Sequence, residues 1–193
     1  MRLLLLDNHD SFTFNLAEML RRIDKIKFNI ITPENLDLEE VVDFDKIIYS
    51  PGPGLPEEHP VMFHILQRYA GIRPIFGVCL GLQAIALHYG GVMYNMPDVF
   101  HGRHCKLTIQ ETEHYLFKGI PNQTEVGLYH SWAIDPVSLP VCLRILASSG
   151  EGTIMALAHR EYDICGVQFH PESIMTPMGQ MMVRNWIKHG KIN

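Results

Sequence analysis

The chain has 193 residues, 47% hydrophobic and 19% charged, a composition that excludes a disordered or fibrous protein and leaves room for one full core. Sixteen basic against twenty-one acidic residues give a net charge of -5, so the balance offers no reason to expect nucleic acid or a membrane as partner. The early apolar run Leu3 to Leu6 is far too short for a signal peptide or a membrane span. The expected compartment is therefore the reducing cytoplasm, with Cys79, Cys105, Cys142 and Cys165 as free thiols.

In chain order, Leu3 to Leu6 reads as a buried strand, and Phe12 to Arg22 as a helix with Phe12, Leu16, Met19, Leu20 and Ile23 at helical spacing. Lys27 to Ile31 is a second strand, Leu38 to Val42 a short helix, and Lys46 to Tyr49 a third strand stopped by Ser50-Pro51-Gly52-Pro53-Gly54. Val61 to Tyr69 is helical, Pro74 to Val78 a strand, and Leu82 to Tyr89 a helix closed by Gly90-Gly91. The second half is richer in strand signals: Val92 to Tyr94, Cys105 to Ile109, Glu125 to Tyr129, Leu143 to Ala147, Thr153 to Ala158 and Ile164 to Phe169. Met178 to His189 closes the pattern as a helix, with Met181, Met182, Trp186 and Ile187 as its apolar face. Alternating strands and helices require crossover connections. The expectation is one α/β domain with a mainly parallel, mixed sheet, helices on both faces and an added antiparallel region.

The sharpest local signal is Gly77-Val78-Cys79-Leu80-Gly81, a G-x-C-x-G turn between a strand and a helix. This is the nucleophile elbow with sulfur in place of oxygen. The glycines allow a sharp turn, and the helix N-terminus beneath it favours a thiolate over a thiol of ordinary pKa, about 8.5. Such a nucleophile needs a base and an orienting group. His170 lies at the carboxyl end of a strand, where catalytic groups of open α/β sheets collect, and Pro171 keeps it extended. Residues i and i+2 of an extended segment point the same way, so Glu172 can accept the His170 ring N–H. Backbone N–H groups of Gly54 and Leu80 would complete the site as an oxyanion hole, which favours acyl transfer. His101, His104, Cys105 and His114 match no common metal spacing, and no metal or cofactor is expected.

Ser50-Pro-Gly-Pro-Gly54, Gly77-Val-Cys-Leu-Gly81 with Gln83, and Val167-Gln-Phe-His-Pro-Glu-Ser173 occur in this order in one chain. Together they resemble the class I (triad) glutamine amidotransferases. The opening Asp7-Asn8-His9-Asp10-Ser11-Phe12-Thr13 and the later Tyr129-His130-Ser131 are similar to those of the glutaminase subunits serving anthranilate or aminodeoxychorismate synthase. The resemblance implies a single flavodoxin-like domain over residues 1–193. It implies Cys79 as nucleophile, His170 as general base and acid, Glu172 as orienting carboxylate, and Gly54 and Leu80 as oxyanion donors. Gly52, Gln83 and the Ser131-Trp132 backbone would hold L-glutamine. The implied partner is a larger chorismate-binding aminase subunit that receives the ammonia. The short, unfused chain leans to the aminodeoxychorismate branch.

Three positions depart from the family pattern. Leu82 replaces a common histidine, Trp132 a leucine, and Phe100-His101-Gly102-Arg103 stands for Met-His-Gly-Lys near the partner. The Asp10-Ser11 loop and His101-Gly102-Arg103 are the candidate partner contacts. Two other readings stay open at this point: a free-standing γ-glutamyl cysteine hydrolase, which would turn over without a partner, and an idle regulatory subunit. An idle subunit has no physical reason to keep Cys79, His170 and Glu172 together.

Overall fold

The run of leucines at the start of the chain forms the strand on which the rest is built. The computed structural model describes residues 1–190, without the side chains of residues 98–101. Strands β1 (Arg2–Leu6), β2 (Lys27–Ile31), β3 (Lys46–Tyr49), β4 (Ile75–Val78) and, far later, β10 (Ile164–Val167) form a parallel block in the order β2-β1-β3-β4-β10. That is the flavodoxin-like order, with β10 as the fifth parallel strand. Antiparallel pairing then continues the sheet through β9 (Ile154–His159), β8 (Leu143–Ser148) and β6 (Thr108–Ile109).

Alternation along the strands divides the core into two layers. Leu3 and Leu5 pack with Leu16 and Leu20 of α1 (Thr13–Arg21) and Trp186 of α4 (Gly179–Lys188). Leu4 and Leu6 pack on the other face with Met62 and Ile65 of α2 (Pro60–Tyr69) and Leu82 and Ile85 of α3 (Leu80–His88). A buried cation joins the first layer to the last helix. Lys46 donates to the carbonyls of Trp186 (2.8 Å) and His189 (2.6 Å) at the carboxyl end of α4, where the Trp186 carbonyl also accepts from the His189 N–H at 3.2 Å. Burial pushes its pKa down, against the pull of Asp163 and Cys165.

Several expected elements differ in extent. The sequence pattern separates Val92 to Tyr94 from Cys105 to Ile109. The structure runs β5 as one strand, Met93–Lys106, which pairs antiparallel with β7 (Glu125–Ile134) in a ribbon apart from the main sheet. Register shifts between Asn95 and Phe100 and between His101 and Arg103 carry the strand across Pro97 and Gly102, the residues that hid it. The expected helix from Leu82 begins at Leu80, directly after Cys79. The short helix at Leu38–Asp43 is of the 3-10 type. On α4 the buried face is Met182, Val183, Trp186 and Ile187; Met181 is 41% exposed. Among the described residues, no helix is long and apolar enough to cross a membrane.

Candidate active site

Four segments meet at the carboxyl ends of the parallel strands, where such sheets place their ligands. The turn after β4 holds Cys79 at φ 52° and ψ -102°, a conformation that non-glycine residues rarely adopt. Backbone bonds fix it: the Cys79 N–H donates to the Val167 carbonyl at 2.8 Å, and its carbonyl accepts from the Gln83 N–H at 3.1 Å. The flanking glycines are needed for a reason other than contact with the Cys79 side chain. A Cβ on Gly77 would lie 2.4 Å from the carbonyl carbon of Gly81, and one on Gly81 would lie 2.7 Å from Tyr49 Cβ. The turn is therefore tight because backbone packs on backbone and on β3.

The loop after β3 is shaped by polar side chains. The Asn8 N–H donates to Ser50 Oγ at 2.9 Å, and Asn8 Nδ2 returns a bond to the Ser50 carbonyl at 3.0 Å. Gly52 then passes so close that a Cβ would stand 2.4 Å from Leu80 Cδ2. Beyond it, His59 Nε2 donates to the Pro53 carbonyl at 2.9 Å, and Glu58 accepts from the Leu55 N–H at 3.0 Å.

After β10 the chain runs through Gln168, His170 and Glu172. His170 Nδ1 donates to Glu172 Oε1 at 2.6 Å, with side-chain exposures of 3% and 0%. Its ring meets those of Phe12 and Tyr129, each with centroids 4.9 Å away, and the His170 N–H bonds to the Gly127 carbonyl of β7 at 3.0 Å. The other ring nitrogen, Nε2, is buried with no close hydrogen-bond partner. Burial alone would strip the ring of its proton. Interaction with the Cys79 sulfur and with the Glu172 carboxylate outweighs burial and pushes the His170 pKa up to about 10.

The fourth segment is Tyr129 to Trp132 on β7. His130 bonds through Nδ1 to the Trp132 carbonyl at 3.0 Å, and that same carbonyl accepts from Gln83 Nε2 at 3.0 Å. Burial, opposed by the Trp132 carbonyl and helped by charge on His170, pushes the His130 pKa down to about 4.

A cavity of about 200 Å³ lies between these segments. Gly52, Gly54, Leu80, Gln83, Ser131 and Trp132, the positions singled out in the sequence, line it together with Cys79. That volume is below the roughly 300–1,000 Å³ of drug-sized sites and suits one small molecule. A larger cavity of about 400 Å³ sits beside Asp163, at the amino end of β10, with His114, Arg144 and His189 in its wall, away from the segments singled out in the sequence. Leu82, the first departure, is fully buried against the apolar core. Trp132, the second, is half-buried at the cavity wall. Arg103 is exposed, and the side chain of His101 lies outside the described residues. Among the described residues, no three His, Cys, Asp or Glu side chains are grouped to hold a metal.

Sequence reasoning gave no part to Asn8, the Phe12 and Tyr129 rings or Gln168. Gln168 stands two residues before His170, directly after β10, a signal that could have drawn attention to it.

The model of the class I glutamine amidotransferase family matches residues 4–189. The chain belongs to this family. It is 37% identical over 188 residues to the aminodeoxychorismate/anthranilate synthase component 2 of Bacillus subtilis, covering 96% of this chain and 95% of the relative. It is also 37% identical over 190 residues to the aminodeoxychorismate synthase component 2 of Escherichia coli, covering 96% and 98%. A glutamine amidotransferase of Thermotoga maritima shares the fold, with a TM-score of 0.74 at 18% identity over 97% of this chain and 80% of that one.

Proposed function

We propose that this chain is the cytoplasmic glutaminase component of a chorismate-aminating synthase. The observation that carries the reading is a strained cysteine in the wall of one small cavity, with a buried histidine–carboxylate pair whose ring interacts with its sulfur. In this reading Cys79 attacks the side-chain carbonyl carbon of L-glutamine. Negative charge forms on its oxygen, and the N–H groups of Gly54 and Leu80 receive it; the Leu80 N–H belongs to the first turn of α3, where donors lack intrahelical partners. The C–N bond breaks as the His170 imidazolium passes its proton to the leaving nitrogen, giving ammonia and a γ-glutamyl thioester. Neutral His170 then takes a proton from water, hydroxide adds to the thioester carbon, and the C–S bond breaks to return the electron pair to sulfur. Glutamate leaves, and the sulfur anion again faces a protonated ring. Glu172 holds the ring in one orientation and supports its positive charge throughout.

Gly52, the Ser131-Trp132 backbone and Gln83 would hold the glutamine. Gln83 uses its Nε2 on protein partners, so its Oε1 is the atom offered to a substrate N–H. A larger chorismate-binding subunit would take up the ammonia, as the names of the relatives suggest. Those names span both branches, and we place this chain with the aminodeoxychorismate branch.

The test combines mass analysis with reconstitution. Glutamine should add a γ-glutamyl mass to Cys79, Cys79→Ala should abolish glutaminase activity while keeping the fold, and adding an aminodeoxychorismate synthase subunit should raise turnover. A Cys79→Ala protein with full activity would sink the mechanism. Full turnover with no partner would point instead to a free-standing hydrolase, and gain only with an anthranilate synthase subunit would move the chain to the other branch.

A further inference from the structure

The sulfur of Cys79 has one more polar neighbour that the scheme above leaves without a role. Gln168 is fully buried, and its Nε2 lies 3.5 Å from Cys79 Sγ. Val167 and Phe169, on either side of it, enter the apolar core, while the Gln168 amide turns to Cys79 and Gln83.

An amide can turn either its oxygen or its NH2 toward a neighbour. A second amide decides the matter here. Gln83 Nε2 donates to the Trp132 carbonyl at 3.0 Å and to Gln168 Oε1 at 3.2 Å. The Trp132 carbonyl can only accept, so Gln83 must present its NH2 on that side. Gln168 then meets it with oxygen, which leaves the Gln168 NH2 for the sulfur. An N–H aimed at sulfur interacts strongly with an anion and weakly with the neutral sulfur of a thioester.

We propose that Gln168 is a further catalytic residue, donating a hydrogen bond to the Cys79 sulfur whenever that sulfur is anionic. This rests on the glutaminase reading and deepens it. The bond is present in the resting enzyme, is given up when the thioester forms, and is regained as the C–S bond breaks and the electron pair returns to sulfur. Water is the only co-reactant, its proton going to His170. The titratable groups around the sulfur are His170 with Glu172 after β10, and Tyr129 and His130 on β7. The loop after β3 and the first turn of α3 present only Gly52, Pro53, Gly54, Leu80 and Gln83 to the cavity.

The experiment follows the pH dependence of Cys79 alkylation by iodoacetamide in the parent, Gln168→Met and Gln168→Glu proteins. Methionine keeps the length of the side chain without the donor. Glutamate keeps an acceptor for Gln83 and turns a negative oxygen to the sulfur. Losing a hydrogen bond to a charged group should raise the alkylation midpoint by roughly one to two pH units in Gln168→Met, and at least as far in Gln168→Glu. Both variants should also hold a larger fraction of γ-glutamyl thioester when quenched during turnover. A folded Gln168→Met protein with the parent's midpoint would overturn the proposal. If that variant fails to fold, Gln168→Glu decides alone, a midpoint at or below the parent's being fatal. Failure of the glutaminase reading shows separately, as a parent whose Cys79 alkylates but never acquires a glutamyl group.

Discussion

The end of β7 and the segment after β10 each bring a buried histidine to the same site, and they treat it in opposite ways. His170 has a carboxylate at 2.6 Å and the Cys79 sulfur beside it, and its pKa rises to about 10. His130 is buried, with a carbonyl at 3.0 Å and His170 for a neighbour, and its pKa falls to about 4. Near neutral pH one ring is thus charged and the other is not. Burial lowers both, so the difference comes from the partner: a full negative charge overcomes desolvation and a dipole does not. In the proposed mechanism the segment after β10 supplies charge and protons, whereas β7 supplies neutral walls and backbone.

The strongest challenge to this division is His170→Ala, expected to lower kcat of the glutaminase by about 10³- to 10⁴-fold, the upper part of what general acid–base groups supply. Steady-state kinetics with glutamine would show it; a loss under tenfold would mean that another group moves the proton. Next in size is the effect of pH on folding. A buried neutral His130 binds its proton only near pH 4, while the unfolded ring binds it near pH 6.5, so stability should fall as pH drops from about 6.5 to 4. His170 has the reverse sign: its contribution is complete below about pH 6.5 and is lost as pH rises toward 10. Urea midpoints across pH should show His130→Asn flattening the acid limb and His170→Ala flattening the alkaline one. His114, which burial also holds near 4, keeps part of the acid slope in either variant. Should His130→Asn flatten the alkaline limb instead, the two assignments are reversed. The smallest effect belongs to Trp132→Leu. If β7 meets glutamine through its backbone, KM should change by less than about threefold with kcat unchanged, and a tenfold change would give the indole a direct part in binding.

The parallel block was readable because its strands are short, apolar and bounded by glycine, proline or acidic turns; Lys27–Ile31 and Lys46–Tyr49 begin and end where the pattern says. The elbow and the His170-Pro171-Glu172 segment were readable because each needs particular residue types at fixed spacing, and the fold brings them to one place. Strand β5 was not, since Pro97 and Gly102 interrupt its alternation while a partner strand with shifted register still pairs across them. The aromatic contacts on His170 were hidden for another reason. Phe12 and Tyr129 come from separate segments, and nothing local to either marks the histidine they touch. Met181 shows the limit of counting apolar residues on a helix, because Val183 takes the buried place.

The slot that β10 fills between β4 and β9 has a temporal meaning. Synthesis releases the Cys79 thiol about ninety residues before the His170 ring, and contacts over such a span form slowly. Until that late insertion, a nascent chain carries its cysteine without an imidazole beside it. In the proposed mechanism the sulfur and its ring can therefore meet only once synthesis has passed the strand that completes the parallel block.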